Sequence, residues 1–196
     1  MPRMKITIKL STFIAPLLFS NALLAGEYLG FDLGVLTKTQ ALSILNNAGA
    51  SGITQGDAFG GEYAGIVEKI EIRSFNKFDQ FGKVKWADLK FTKNKLYEIN
   101  VSYEKDEKSY GLLAALKNKY GTPEGGSVPM KFAVYEYYFY DGDTKITFLD
   151  NQDFYVSITY SSQSITKSLD LQTANIAAKI KKEEERQKKM NAPKDL

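Results

Sequence analysis

ADLKFTKNKLYEINVSY (87–103) and TKITFLDNQDFYVSITY (144–160) are one pattern written twice, and their reading decides the fold. An offset of 57 positions, with no gap, sets Ile146 over Leu89, Phe148 over Phe91, Asn151 over Asn94 and Phe154 over Tyr97. Val156, Ile158 and Tyr160 then fall over Ile99, Val101 and Tyr103. Each copy alternates apolar and polar residues on both sides of a short polar turn. The turn holds an Asn, which tolerates left-handed backbone. Each copy is therefore expected to form a β-hairpin with one apolar and one wet face.

Working outward, Thr37 and Gln40 form a capping-box pattern ahead of a stripe of Ala41, Ile44, Leu45 and Ala48, closed by Gly49. A second helix is expected from a cap at Asp106, with Leu113, Leu116 and Tyr120 on its apolar stripe and Gly121 and Pro123 as its stop. Leu45 to Gly49 and Leu116 to Gly121 are alike, so the repeat extends to one helix plus three strands. The expected fold is α+β: two tandem units of a helix and a three-stranded antiparallel sheet, either separate or one continuous sheet with helices on one face. A charged C-terminal helix should follow. The expected boundaries are a leader over 1–25, units over 26–104 and 105–162, and the helix with a disordered tail over 163–196.

The leader has a basic start (Arg3, Lys5, Lys9), an apolar run from Phe13 to Leu24, and small residues at its end. That is the layout of a secretory signal peptide cleaved after Ala22 or Ala25. The apolar run is too short for a spanning helix, which needs roughly 20 residues. A periplasmic or secreted protein with no transmembrane span in the mature chain is expected. The chain carries 26 basic and 23 acidic groups. Removing the leader's three cations leaves a neutral body, which argues against nucleic acid as partner.

The chain has no His and no Cys. Ser-His-Asp and Cys-His catalysis, His- or thiolate-bound metals, and disulfides are thereby excluded. No cofactor and no metal are expected. Asp141, Asp143, Asp150 and Asp153 cluster near two hairpin turns, where Asp is favoured for turn geometry, and their spacing matches no calcium loop. The five glycines from Gly49 to Gly61 lack the Lys-Ser/Thr sequel of a phosphate loop and read as a flexible loop or a lid.

Alternation assigns the faces. Leu89, Phe91, Tyr97, Ile99, Val101 and Tyr103, with their partners 57 residues on, should face the helices. Lys90, Glu98, Asn100, Ser102, Thr147, Tyr155, Ser157 and Thr159 should face water. Val84 and Trp86 sit on even positions but Leu89 and Phe91 on odd ones, so a bulge or break is expected near Ala87–Asp88. Trp86 is expected in the core beside it. The strand from Met130 to Tyr140 sets Phe132, Val134, Glu136, Tyr138 and Tyr140 outward. That aromatic surface is either a recognition site or is covered by a helix from 165–180.

Two helix-plus-sheet units behind a signal peptide resemble the β-lactamase inhibitory protein family. The single unit is similar to the outer-membrane assembly lipoprotein (BamE) family. Leu33-Gly34-Val35-Leu36-Thr37 is similar to that family's Gly-Met-Thr/Ser helix entry, with Val35-Leu36 in place of the Met. The resemblance implies a module that binds another protein with its sheet face and performs no chemistry. The expected activity is thus non-catalytic capture of an envelope or secreted protein as an inhibitor, immunity or accessory module. Tyr138, Tyr140, Tyr155, Glu136 and Arg73 are the candidate contacts. The alternative is a small-molecule, lipid or glycan carrier with the glycine loop as lid. A carboxylate-only hydrolase ranks last. The sequence carries no signal for oligomeric state.

Overall fold

The computed structural model describes residues 27–124, 134–151 and 154–191. The expected leader, the first residues of the aromatic strand up to Ala133, Asp153 and the tail lie outside these.

The chain opens with a two-stranded hairpin, β1 (Glu27–Tyr28) and β2 (Phe31–Asp32), turned through Leu29 and Gly30 at φ of 54° and 90°. Helix α1 (Lys38–Asn47) starts at the expected cap. The Gln40 amide donates to Thr37 Oγ1 at 3.3 Å, and the Thr37 amide donates to Gln40 Oε1 at 2.9 Å. Ala41 and Leu45 supply its buried stripe. Strands β3 (Thr54–Asp57), β4 (Glu68–Ile72), β5 (Val84–Thr92) and β6 (Lys95–Glu104) follow. Lys93 and Asn94, at φ of 49° and 58°, make the tight left-handed turn between β5 and β6.

The second helix is divided. Asp106 caps α2 (Glu107–Tyr110) through the Ser109 amide at 2.8 Å, and Gly111 separates it from α3 (Leu112–Tyr120). Strands β7 (Val134–Asp141), β8 (Thr144–Asn151) and β9 (Tyr155–Ser162) lead into helix α4 (Gln163–Asn191). Among the described residues, no helix is long and apolar enough to cross a membrane.

Seven strands form one antiparallel sheet in the order β3-β4-β5-β6-β9-β8-β7. The hairpins β5–β6 and β8–β9 meet along β6 and β9, where Glu98 through Glu104 pair in register with Ser161 through Tyr155. One sheet face is buried. Ile70, Ile72, Leu89, Ile99, Val101, Tyr103, Val156, Ile158, Tyr160, Ile146, Phe148 and Phe139 form a single apolar slab. The β1–β2 hairpin, α1, the Phe75 and Phe78 rings and α3 cover it. At about 1.5–3 kcal/mol per large apolar side chain buried, this slab dominates folding. Tyr28 ties the hairpin down by stacking on Tyr160 (centroids 4.8 Å apart) and donating to Asp141 Oδ2 at 2.9 Å. Burial holds the Tyr28 and Tyr160 phenols well above the ordinary tyrosine range.

This architecture overturns the expected pair of helix-plus-three-strand units. The molecule is dominated by a seven-stranded sheet, with a separate two-stranded sheet at its start. The reason lies in hydrogen bonding. An open β6 edge would leave a row of backbone groups unpaired, and β9 satisfies them. The stretch from Gly49 to Gly61 is no plain loop either. Its Thr54–Asp57 portion pairs with Glu71 through Glu68 as the edge strand β3. Its residues are all polar or glycine, so no alternation announces it.

Helix α4 is about 43 Å long for its 29 residues. Its root is clamped by the β7–β8 turn: Asp143 accepts from Ser162 Oγ at 2.7 Å, Ser164 Oγ at 2.8 Å and the Ser164 amide at 3.0 Å. Leu169 then packs on Val67 and Tyr97 in a small second cluster. Beyond Ile180 every described side chain is exposed. Partial burial works against the Asp143 charge, but the serine hydrogen bonds outweigh it and hold the carboxyl below its usual range. A depressed carboxyl pKa stabilises the fold above its unfolded value, about 3.9, and that contribution disappears as pH falls through the folded value. Asp143→Ala should therefore cost about 1 kcal/mol at neutral pH, the usual worth of a helix cap. In urea titrations against pH, its gap from the wild-type chain should close below about pH 4.

Candidate functional site

The outward sheet face is built from residues that alternate with the buried slab. Across its middle the register aligns Glu71, Asp88, Asn100, Thr159, Thr147 and Tyr138, one from each of β4, β5, β6, β9, β8 and β7. A polar network holds this row: Asn100 Nδ2 donates to Asp88 Oδ1 at 3.2 Å, and Thr159 Oγ1 donates to Asn100 Oδ1 at 3.2 Å. Lys90 Nζ lies 2.6 Å from Glu98 Oε1 and 3.9 Å from Asp88 Oδ2. Burial raises the Asp88 carboxyl above its ordinary pKa despite Lys90. Burial also opposes the Lys90 charge, but Glu98 and Asp88 prevail and raise its pKa.

Two β-bulges decide what else this face displays. The first falls at Lys85, between the pairs Val84↔Tyr103 and Trp86↔Ser102. One extra residue there turns Val84 toward the core and leaves both Lys85 and Trp86 outside. The expectation of a core Trp86 is thus corrected: it is 37 % exposed. The parity switch lies at Lys85, not at Ala87–Asp88. Trp86 on β5 meets Tyr155 on β9 edge-on, with centroids 4.8 Å apart, so the two rings close over the intervening β6. Ser102 beneath them is fully buried and Ser157 nearly so. Lys85 Nζ sits 5.6 Å from the Trp86 ring centroid and 5.5 Å from that of Tyr155, within cation–π reach.

The second bulge falls where Lys90↔Glu98 gives way to Phe91↔Leu96. It turns Tyr97 out of the main core and under α4, beside Val67 and Leu169. The apolar side of α4 is used there. The helix does not seal the aromatic strand.

A second aromatic group lies at the β7 edge. Lys145 Nζ stands 3.9 Å from the Tyr138 ring centroid, and Tyr140, paired with Lys145, is 41 % exposed. The neighbouring Glu136 carboxylate, with some burial, pushes the Tyr138 phenol up to about 12. Tyr138, Tyr140, Tyr155, Glu136 and Arg73 therefore lie on one face of the sheet. They are not one cluster. Glu136, Tyr138 and Tyr140 lie on β7 and Tyr155 on β9. Arg73 follows β4, five strand spacings or roughly 24 Å from β7. Sequence reasoning missed Lys85, Trp86 and Lys145. The even-numbered polar run of Trp86, Asp88 and Lys90 was the available signal for the tryptophan.

The acidic residues near the turns have separate structural partners. Asp141 accepts from Tyr28, Asp143 clamps α4, and Asp150 pairs with Lys105 at 2.6 Å. Among the described residues no three His, Cys, Asp or Glu side chains are grouped to hold a metal. No protein-family model matches the chain, and neither a curated protein nor a solved structure does.

The two faces should respond differently to truncation. Ile99→Ala in the slab should cost about 2–5 kcal/mol, whereas Trp86→Ala should cost about 0.5–1.5 kcal/mol, the worth of one ring pair. Equilibrium denaturation of both variants checks the assignment.

Proposed function

We propose that the protein is a non-catalytic, exported binding module of the inhibitor, immunity or envelope-accessory kind. It captures a protein partner on the outward sheet face. One observation carries this reading: aromatic rings with cations against them stand on the outward face of the sheet, with Trp86 and Tyr140 exposed. Trp86, Tyr155 and Lys85 make one such group, and Tyr138, Tyr140 and Lys145 the other. Tyr and Trp offer large contact area at low entropic cost and dominate interface hot spots. Strands hold them in place before contact, so little ordering is lost on binding. The compartment is the periplasm or the medium, reached by cleavage after Ala22 or Ala25. The partner is another envelope or secreted protein.

The test compares partner recovery from periplasmic extract by the wild-type chain and by Tyr138→Ser/Tyr140→Ser. The double variant should lose capture by at least about tenfold, the effect of one lost hot spot, while its melting temperature moves little. Retained capture would remove this face from the reading, and a large loss of stability would mean that these tyrosines belong to the core.

A further inference from the structure

Beside Trp86, on the side away from Tyr155, lies a groove of about 440 Å³ lined by Gly52, Thr54, Glu71, Arg73, Lys85, Trp86 and Asp88. We infer that this groove is a subsite for a neutral oligosaccharide, one sugar ring lying along the indole with its hydroxyls on Arg73, Glu71 and Thr54. The inference goes beyond the protein-binding reading and uses the opposite end of the sheet from Tyr138 and Tyr140.

Three features carry it. The first is an aromatic wall against a lining of charged and hydroxyl groups, with Ile72 and Ala87 the other apolar residues, a combination that suits a ring with apolar faces and a hydroxylated rim. The second is charge balance. Arg73 and Lys85 face Glu71 and Asp88, so the lining selects neither an anion nor a cation, and a ligand rich in hydroxyls can use both signs. The volume lies within the range of small-molecule sites and accommodates one to two sugar rings.

The third is preorganisation. The Glu71 carboxylate is fixed by Lys69 Nζ at 2.6 Å and Thr54 Oγ1 at 3.2 Å. Asp88 presents Oδ1 to Asn100, and its Oδ2 has no hydrogen-bond donor. Arg73 is exposed, and no carboxylate among the described residues pairs with it in an ion pair. Its stem lies across Gly52, at φ +64°, where an added Cβ would fall 2.7–2.9 Å from Arg73 Cβ, Cγ and Cδ. Gly52 therefore allows the guanidinium its place over the groove. Any other residue would both strain the backbone and push the arginine away.

Trp86 is the only tryptophan in the chain, so its emission reads the groove directly. The full-length chain is titrated with chitotriose, maltotriose and cellotriose, and with hexaglutamate as an anionic comparison. Saturable change with at least one trisaccharide is expected, at a Kd of about 1 mM or tighter. Arg73→Ala should weaken it about tenfold, the worth of one hydrogen bond to a charged group. Gly52→Ala should do likewise by displacing the same guanidinium. Tyr138→Ser should leave it unchanged, which separates this subsite from the Tyr138–Tyr140 group at the other end of the face. No saturation by any of the three sugars up to about 20 mM overturns the inference. So does a sugar response that survives both Arg73→Ala and Gly52→Ala, or saturation by hexaglutamate alone.

Discussion

The pairing of β6 with β9 is the constraint on which the rest of the molecule depends. A hairpin alone is marginal in water, because each of its two strands has an unpaired edge and its apolar face has nothing to cover it. Joining β5–β6 to β8–β9 through the register Glu98↔Ser161 to Glu104↔Tyr155 removes two edges at once. It also sets Ile99, Val101 and Tyr103 beside Ile158, Val156 and Tyr160, so that two greasy strips become one surface. Only then is there a slab large enough for the β1–β2 hairpin, α1 and α3 to close. The remaining edges are blunted in different ways: β3 is short and polar, and β7 is bridged by the Glu124 amide to the Tyr138 carbonyl at 2.8 Å.

Covering one side of a sheet this wide leaves the other in contact with solvent, and the character of that side follows from two inserted residues. Lys85 shifts the phase of β5, so Val84 turns to the core while Trp86, in step with Asp88 and Lys90, stands outside against Tyr155. Tyr97 shifts the phase of β6, so a phenol emerges where α4 can bury it with Val67 and Leu169. One bulge sets Lys85 beside the exposed aromatic pair and the other anchors the terminal helix. Between them lies a polar row in which Lys90 pairs closely with Glu98 and lies 3.9 Å from Asp88. That row keeps the middle of the sheet polar, and the exposed rings stand toward its two ends.

The acidic residues near the turns illustrate the same economy. Each could be imagined in an active site from its spacing alone. In place, Asp141 steadies the first hairpin, Asp143 caps the last helix and Asp150 answers Lys105. The outward face carries rings held by strands, cations resting on them, and a groove lined by both signs of charge.

The sequence by itself determined everything that depends on near neighbours. The hairpin over 87–103 and its Asn94 turn follow from alternation and turn chemistry. So do the capping box of Thr37 and Gln40, the burial of Leu89, Ile99 and Val101, and the polar end of α4, because these are set by residues two to four positions apart. The outward placement of Tyr138, Tyr140, Tyr155, Glu136 and Arg73 was readable in the same way. Only the tertiary structure decided which edges pair, that Thr54–Asp57 joins the sheet, that the tyrosines lie several strands from Arg73, and that β5 shifts its phase at Lys85. Strand order is a choice between distant segments, made by satisfying backbone edges and filling one core. A bulge is a single residue of slack whose position is set by the partner strand, and no local alternation records it.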